Sequence, residues 1–331
     1  MNTSKIVTAI FVKMRKPPPS PPPAGPLVWF APDMGSTDYP ELFTQPTKWP
    51  VARSKINVFK FYSDNVTDAV CAICGNNTLN TFVNVQAFRR LREWKIAIGV
   101  EAEAVNKDWG CTGVREFETA QLLIQNVHAN GGFVTYLAMD EPFIKGLPSK
   151  DPQASNQNCN YTMAETVEHT AWFIKQIRQK HPAIAVGDIE PYPYFSISEL
   201  EQWIAALAAK GATPAFFHLD VDRDAVEVGG QDVAADLQAL NQFCGSHGIP
   251  FGVVFWSAAD SESAYYESTL NWVHTVNNAI GKPIHVIFQA GKERIMTSIK
   301  CPSICRRMTP IFTAIPGYLS TGWPSLDREA A

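Results

Sequence analysis

Eight short runs rich in β-branched and aromatic residues recur along the chain, at 27–33, 56–62, 95–105, 132–142, 183–193, 215–224, 250–257 and 284–290. Most are almost continuously apolar, the pattern of a strand covered on both faces. Between them the apolar positions change to a helical period. Phe117, Ala120, Ile124 and Val127 form one stripe, and Val167, Ala171, Ile174 and Ile177 a second. Leu200, Ile204 and Leu207 form a third, and Tyr266, Leu270 and Val273 a fourth. Such stripes face a core. Gly131-Gly132, Gly211, Gly248 and Gly281 separate a helical pattern from the next strand, where helix C-caps belong. Eight strand–helix units in about 260 residues predict an α/β fold, a (β/α)8 TIM barrel. The competing doubly wound sheet needs a glycine-rich first turn for a dinucleotide. The first turn here, APDMGSTDYP, has no GxGxxG. Two loops, Ser63 to about Val83 and Ile144 to about Met163, follow strands two and four and are longer than the rest.

In a barrel of this kind the chemistry sits at the C-terminal ends of the strands, which makes those ends a short list. Strand one ends at Asp33, and strand two offers Lys60 and Tyr62. Strand three offers Glu101 and Glu103, two apart and so on one side. Strand four ends in Asp140 and Glu141, and strand five gives Asp188 and Glu190, followed by Pro191 and Tyr192. Strand six places His218, Asp220 and Asp222 on one side, strand seven ends at Trp256 and Ser257, and strand eight at Gln289. A lone acid at a strand end reads as a helix cap or salt-bridge partner. Acids at the ends of strands three to six converge on one mouth, where repulsion keeps some of them protonated near neutral pH.

Carboxylate rings serve glycoside hydrolysis, which needs two acids, or a divalent metal, which needs several oxygen ligands. Aromatic side chains near the strand ends, Tyr62, Trp109, Tyr192, Tyr194 and Trp256, favour a sugar, whose C–H face stacks on a flat ring. Trp29 reads instead as a cap on the barrel core. The stretch MDEPF at 139–143 then resembles the Asn-Glu-Pro ending of strand four in the large clan A of retaining barrel glycoside hydrolases. The resemblance implies that Glu141 is the acid/base and that Pro142 matches the clan's proline. Asp140 stands where the clan has Asn. The clan's strand-seven Glu nucleophile has no counterpart in VVFWSAAD, so the second carboxylate comes from elsewhere. Glu190, in the second Glu-Pro ending DIEPYP, is the first choice, and Asp220 the next. The expected substrate-binding set is Asp33, Lys60, Tyr62, Glu101, Glu103, Trp109, Asp140, Tyr192, Asp222, Trp256 and Gln289.

Two other readings stay open. A metal-dependent barrel resembling xylose isomerase would take Glu190, His218 and Asp220 as ligands, although strands seven and eight add none. A non-catalytic carbohydrate-binding barrel would account for the missing strand-seven carboxylate.

Composition narrows the partners. The 331 residues carry a formal charge of −4, which gives no basic face for nucleic acid. No apolar stretch is long enough to cross a membrane. A carbohydrate substrate, a monomer and no cofactor or metal are the expectations. The seven cysteines show no zinc spacing. Cys71 and Cys74 form one CxxC, and Cys111 and Cys159 lie in different loops. They are either free thiols or one or two loop-clamping disulfides of an oxidising compartment. A secreted or periplasmic location is favoured, although KIVTAIFV is short for a signal segment. Residues 1–26 read as a disordered Pro-rich tail and 27–290 as the barrel. Residues 291–331, basic and without a helical stripe, read as an irregular or non-native end.

Overall fold

In the computed structural model the described residues are 25–67, 71–149, 158–259 and 261–289. The two tails predicted at the ends therefore lie outside the described residues, apart from Gly25 and Pro26. The eight strands are β1 (Leu27–Ala31), β2 (Val58–Tyr62), β3 (Ala97–Ala102), β4 (Val134–Asp140), β5 (Ala185–Tyr192), β6 (Phe217–Val221), β7 (Phe251–Phe255) and β8 (His285–Gln289). Each pairs in parallel with the next, and β8 pairs with β1, which closes the TIM barrel. Each observed strand falls inside its predicted run.

The helical stripes form Val114–Ala129, Met163–Lys180, Ile197–Ala209 and Glu262–Ile280, and a further helix covers Val233–Ser246. Capping boxes at Thr162/Glu165 and Ser196/Glu199 start two of them, each satisfying two otherwise orphaned amides. Gly131, Gly211, Gly248 and Gly281 all take positive φ, as their place after a helix predicted. The first unit departs from the pattern. After β1 the chain makes only short turns, Glu41–Thr44, Pro46–Lys48 and Pro50–Arg53. Prolines 40, 46 and 50 recur too closely for a continuous helix, since each lacks an N–H and is tolerated only in a first turn.

Two cores result from strand alternation. Val28, Phe59, Val100, Leu137, Val186 and their like pack outward against the helices. Trp29, Val58, Ala138, Ile189, Phe216, Val254 and Ile287 fill the barrel interior. Trp29 is fully buried there, against Tyr136, Phe216, His218 and His285. Glycines make room for these rings. A Cβ at Gly99 would lie 2.8 Å from the Trp29 ring, and one at Gly187 2.3 Å from Phe216. The His218 and His285 rings share a buried hydrogen bond of 2.8 Å between Nε2 and Nδ1. Burial pushes His285 down to about 4 and His218 well below its usual range, so both rings are neutral near pH 7.

Of the two cysteine readings, disulfides hold for four residues. Cys111–Cys159 ties the loop after β3 to the loop after β4, and Cys71–Cys74 closes a turn in the loop after β2. Cys244 is a buried free thiol.

Removing the ring that fills the barrel leaves a cavity that glycine-lined walls cannot collapse to close. Trp29→Ala is expected to lower unfolding free energy by about 3–5 kcal/mol in urea titrations. An unchanged midpoint and slope would contradict the interior assignment.

Candidate active site

The mouth of the barrel is built around the end of β4. Strand alternation sends Tyr136 and Ala138 into the barrel and Leu137 and Met139 outward. Asp140 therefore faces the mouth, and Glu141 would face the helices if the strand continued. It does not continue. Glu141 adopts a left-handed backbone, φ 53° and ψ 46°, which is uncommon for a residue other than glycine and costs on the order of 1–3 kcal/mol. The turn re-aims the Glu141 side chain, which lines a cavity of about 290 Å3 together with Asp220, Asp222, Lys145, Tyr194 and Trp256.

Several bonds hold this turn. The Glu141 amide donates to the Ile189 carbonyl at 3.1 Å, and the Lys145 amide donates back to the Glu141 carbonyl at 3.0 Å. Pro142 opens the helical turn Pro142–Gly146, where it forfeits no bond. The first amides of that turn are met by a buried side chain. The Glu190 carboxylate accepts from Phe143 N at 2.7 Å and from Ile144 N at 3.4 Å.

That contact corrects the first choice for the second carboxylate. On β5 Ile189 faces the interior, so Asp188, Glu190 and Tyr192 face the helical layer. Asp188 accepts from the Trp203 indole at 2.8 Å, and the Tyr192 hydroxyl donates to Asp236. Glu190 and Tyr192 are thus structural groups outside the mouth, and neither lines a cavity there. Burial, and then the neighbouring Asp188, push Glu190 well above the usual carboxylate range. The metal set of the alternative reading is not assembled either. Glu190 caps a helical turn, His218 is bonded to His285, and Asp220 is bonded to Trp256. Among the described residues, Asp64, Cys71 and Cys74 are the group close enough to share an ion, and their two sulfurs are joined to each other.

Asp220, the second choice, lines the larger cavity together with Glu141. Its Oδ1 accepts from the Trp256 indole N–H at 2.5 Å. Burial raises Asp220 to about 6, opposed by that bond and by Lys60. Glu141 is pushed up to about 8, first by burial and then by the charge of Asp140, with Asp220 and Glu101 adding and Lys145 opposing. The two carboxyls are therefore separated in proton affinity, with Glu141 holding its proton to higher pH.

A second, smaller cavity of about 80 Å3 lies over the other half of the mouth, lined by Met34, Tyr62, Asp64, Glu101, Glu103 and Asp140. Two lysines meet three of these acids, Glu101, Glu103 and Asp140. Lys60, fully buried, pairs with Glu101 and donates to Gln289 Oε1 at 3.0 Å. Lys145 reaches Asp140 at 2.5 Å and both Glu103 oxygens at 3.0 Å. Burial works to raise Asp140, but the Lys145 ammonium outweighs it and holds Asp140 below its usual value. Burial wins at Glu103, which rises to about 8 even beside Lys145. One lysine thus neutralises one of two carboxyls, and the other keeps a proton.

The remaining sequence candidates are dispersed. Asp33 accepts from the Gly35 amide at 2.8 Å and shapes the loop after β1. Trp109 sits on the single turn Lys107–Trp109. Neither lines the two cavities. Lys145 and Asn158 also line the larger cavity, and neither stands at a strand end. Lys145 stands four residues after Glu141, a spacing that brings side chains to one face once Pro142 starts a helical turn.

No family model and no curated protein matches the chain. Among solved structures it resembles an endo-β-1,4-mannanase double mutant from Cellulomonas fimi, with TM-score 0.53, 9% identity, and coverage of 90% of this chain and 74% of that one. It also resembles active domain 2 of a chitinase from Pyrococcus furiosus, with TM-score 0.50, 14% identity, and coverage of 91% and 99%.

Replacing Glu190 tests its structural assignment. Glu190→Ala leaves the buried Phe143 amide and the half-buried Ile144 amide without this acceptor and is expected to cost about 1–3 kcal/mol in equilibrium unfolding. Loss of activity with unchanged stability would instead make Glu190 a catalytic residue. At identities of 9% and 14%, these likenesses establish the barrel fold that the chain shares with the two enzymes.

Proposed function

We propose that the protein hydrolyses glycosidic bonds, with Glu141 as the general acid and Asp220 as its partner carboxylate. One observation carries this reading. Two carboxyl groups of different proton affinity line the same cavity beside an indole and a phenol, Trp256 and Tyr194. Glycoside hydrolysis asks for that division: one acid protonates the leaving oxygen, and an ionised partner answers the positive charge that develops at the anomeric carbon. Asp220 is held for the second role by the Trp256 N–H, which leaves its other oxygen for the sugar. The Trp256 carbonyl is itself anchored by Arg223 at 2.7 Å, which fixes the ring's backbone. The printed names of the two similar enzymes, a mannanase and a chitinase, agree with a carbohydrate substrate.

Turnover of an oligosaccharide panel tests the assignment. Glu141→Gln and Asp220→Asn are each expected to lower turnover by about 100- to 10,000-fold. The profile of kcat/KM against pH should be a bell. It falls below about 6 as Asp220 gains a proton and above about 8 as Glu141 loses one. Unchanged turnover in both variants would reject the proposal. Binding without turnover in the unaltered protein would favour a non-catalytic carbohydrate-binding barrel.

A further inference from the structure

The helical turn Pro142–Gly146 has five residues, too few to hold itself in water. Like any helical segment it leaves amides at its start and carbonyls at its end without internal partners. Glu190 meets the amides. The carbonyls are met from further along the loop after β4. The Asn158 side-chain amide donates to the carbonyls of Ile144 at 2.5 Å and Leu147 at 2.9 Å. The Cys159 amide donates to the Lys145 carbonyl, and the Tyr161 amide to the Gly146 carbonyl, each at 2.8 Å. The carbonyls of residues 144 to 147 are thus all taken by one short stretch, 158–161. Asn158 is 4% exposed and lines the larger cavity with Glu141, Ile144 and Lys145.

The stretch is itself tied down. Cys159 is bonded to Cys111, whose amide donates to the Asn106 carbonyl at 3.0 Å. The Asn106 amide donates in turn to the buried Glu116 of helix Val114–Ala129 at 2.9 Å. A continuous path therefore runs from that helix, through the disulfide, to the turn that follows Glu141. Strained backbone of the kind Glu141 carries persists only where its surroundings over-determine it. Glu190 holds the turn at its start, and the 158–161 stretch holds it at its end. We propose that Asn158, locked in place by the Cys111–Cys159 disulfide, is a positioning residue that keeps the Glu141 carboxyl aimed into the cavity. This deepens the hydrolase proposal and rests on its assignment of Glu141.

Two changes release the turn by different routes. Asn158→Leu keeps the size of the side chain but has no N–H for the Ile144 and Leu147 carbonyls. Cys111→Ser combined with Cys159→Ser opens the tether and leaves Asn158 in the chain. Both are compared with the unaltered protein by carbon-13 titration of the Glu141 carboxyl, at a temperature where circular dichroism shows them folded, and by kcat and KM on the oligosaccharide panel. In each variant the Glu141 midpoint should fall from about 8 toward the ordinary glutamate range, because a released carboxyl regains water. The value of kcat should fall by about 10- to 100-fold, with KM changed less. A purely structural role would lower the unfolding temperature and leave the midpoint in place. A midpoint that moves in neither variant overturns the inference, and if Asn158→Leu does not fold the double serine variant decides alone. The two proposals separate cleanly. An unmoved midpoint, with turnover that Glu141→Gln abolishes, keeps the hydrolase and removes the positioning role. A midpoint that falls in the variants of a protein that turns over none of the panel does the reverse.

Discussion

The left-handed backbone at Glu141 is the constraint on which the site depends. Without it, strand alternation would aim this carboxylate at the helices, as it does for Glu190 on the neighbouring strand. The strain is localised and held from several sides: the Ile189 carbonyl, the proline that opens the next turn, and the Glu190 carboxylate beneath that turn. The second Glu-Pro strand ending therefore supports the first. One glutamate is turned into the mouth, and the other is buried to hold the turn that puts it there.

The mouth divides its charge unevenly. Over β2 and β3, Lys60 pairs with Glu101 and the partly buried Lys145 with Asp140, and the cavity there is small. Over β6 and β7, Asp220 accepts from the Trp256 indole and Asp222 from the Tyr194 hydroxyl, and the cavity is larger. Buried ion pairs contribute little net stability but fix geometry, since losing one partner strands the other. The paired half thus acts as a rigid electrostatic wall. After burial, Asp140, held ionised by Lys145, does most to raise the proton affinity of Glu141, and Glu101 adds to it.

The barrel was legible in the sequence because strand runs, helical stripes and glycine stops agreed with one another. The first unit was not, because clustered prolines replaced its helix with turns. The site was half legible. Glu101 and Glu103, spaced two apart, and Asp220 and Asp222 likewise, reach the mouth as their spacing predicted. Glu190 and Tyr192 misled because the motif Glu-Pro says nothing about which face a strand presents. The parity of β5 is set by Ile189, which packs inside the barrel, and by Gly187, which leaves room there for Phe216, and that packing is a tertiary fact. Lys145 was hidden for a related reason, since its role appears only once Pro142 is seen to start a helical turn.

Glu141, turned into a crowd of acids, is expected to keep its proton at neutral pH. Carbon-13 labelling of the glutamate side-chain carboxyls, with Glu141→Gln used to assign the signal, reads that proton directly. A protonated Glu141 carboxyl at pH 7 that titrates with a midpoint of about 8 is the expected result. A carboxylate already ionised at pH 5 would contradict it.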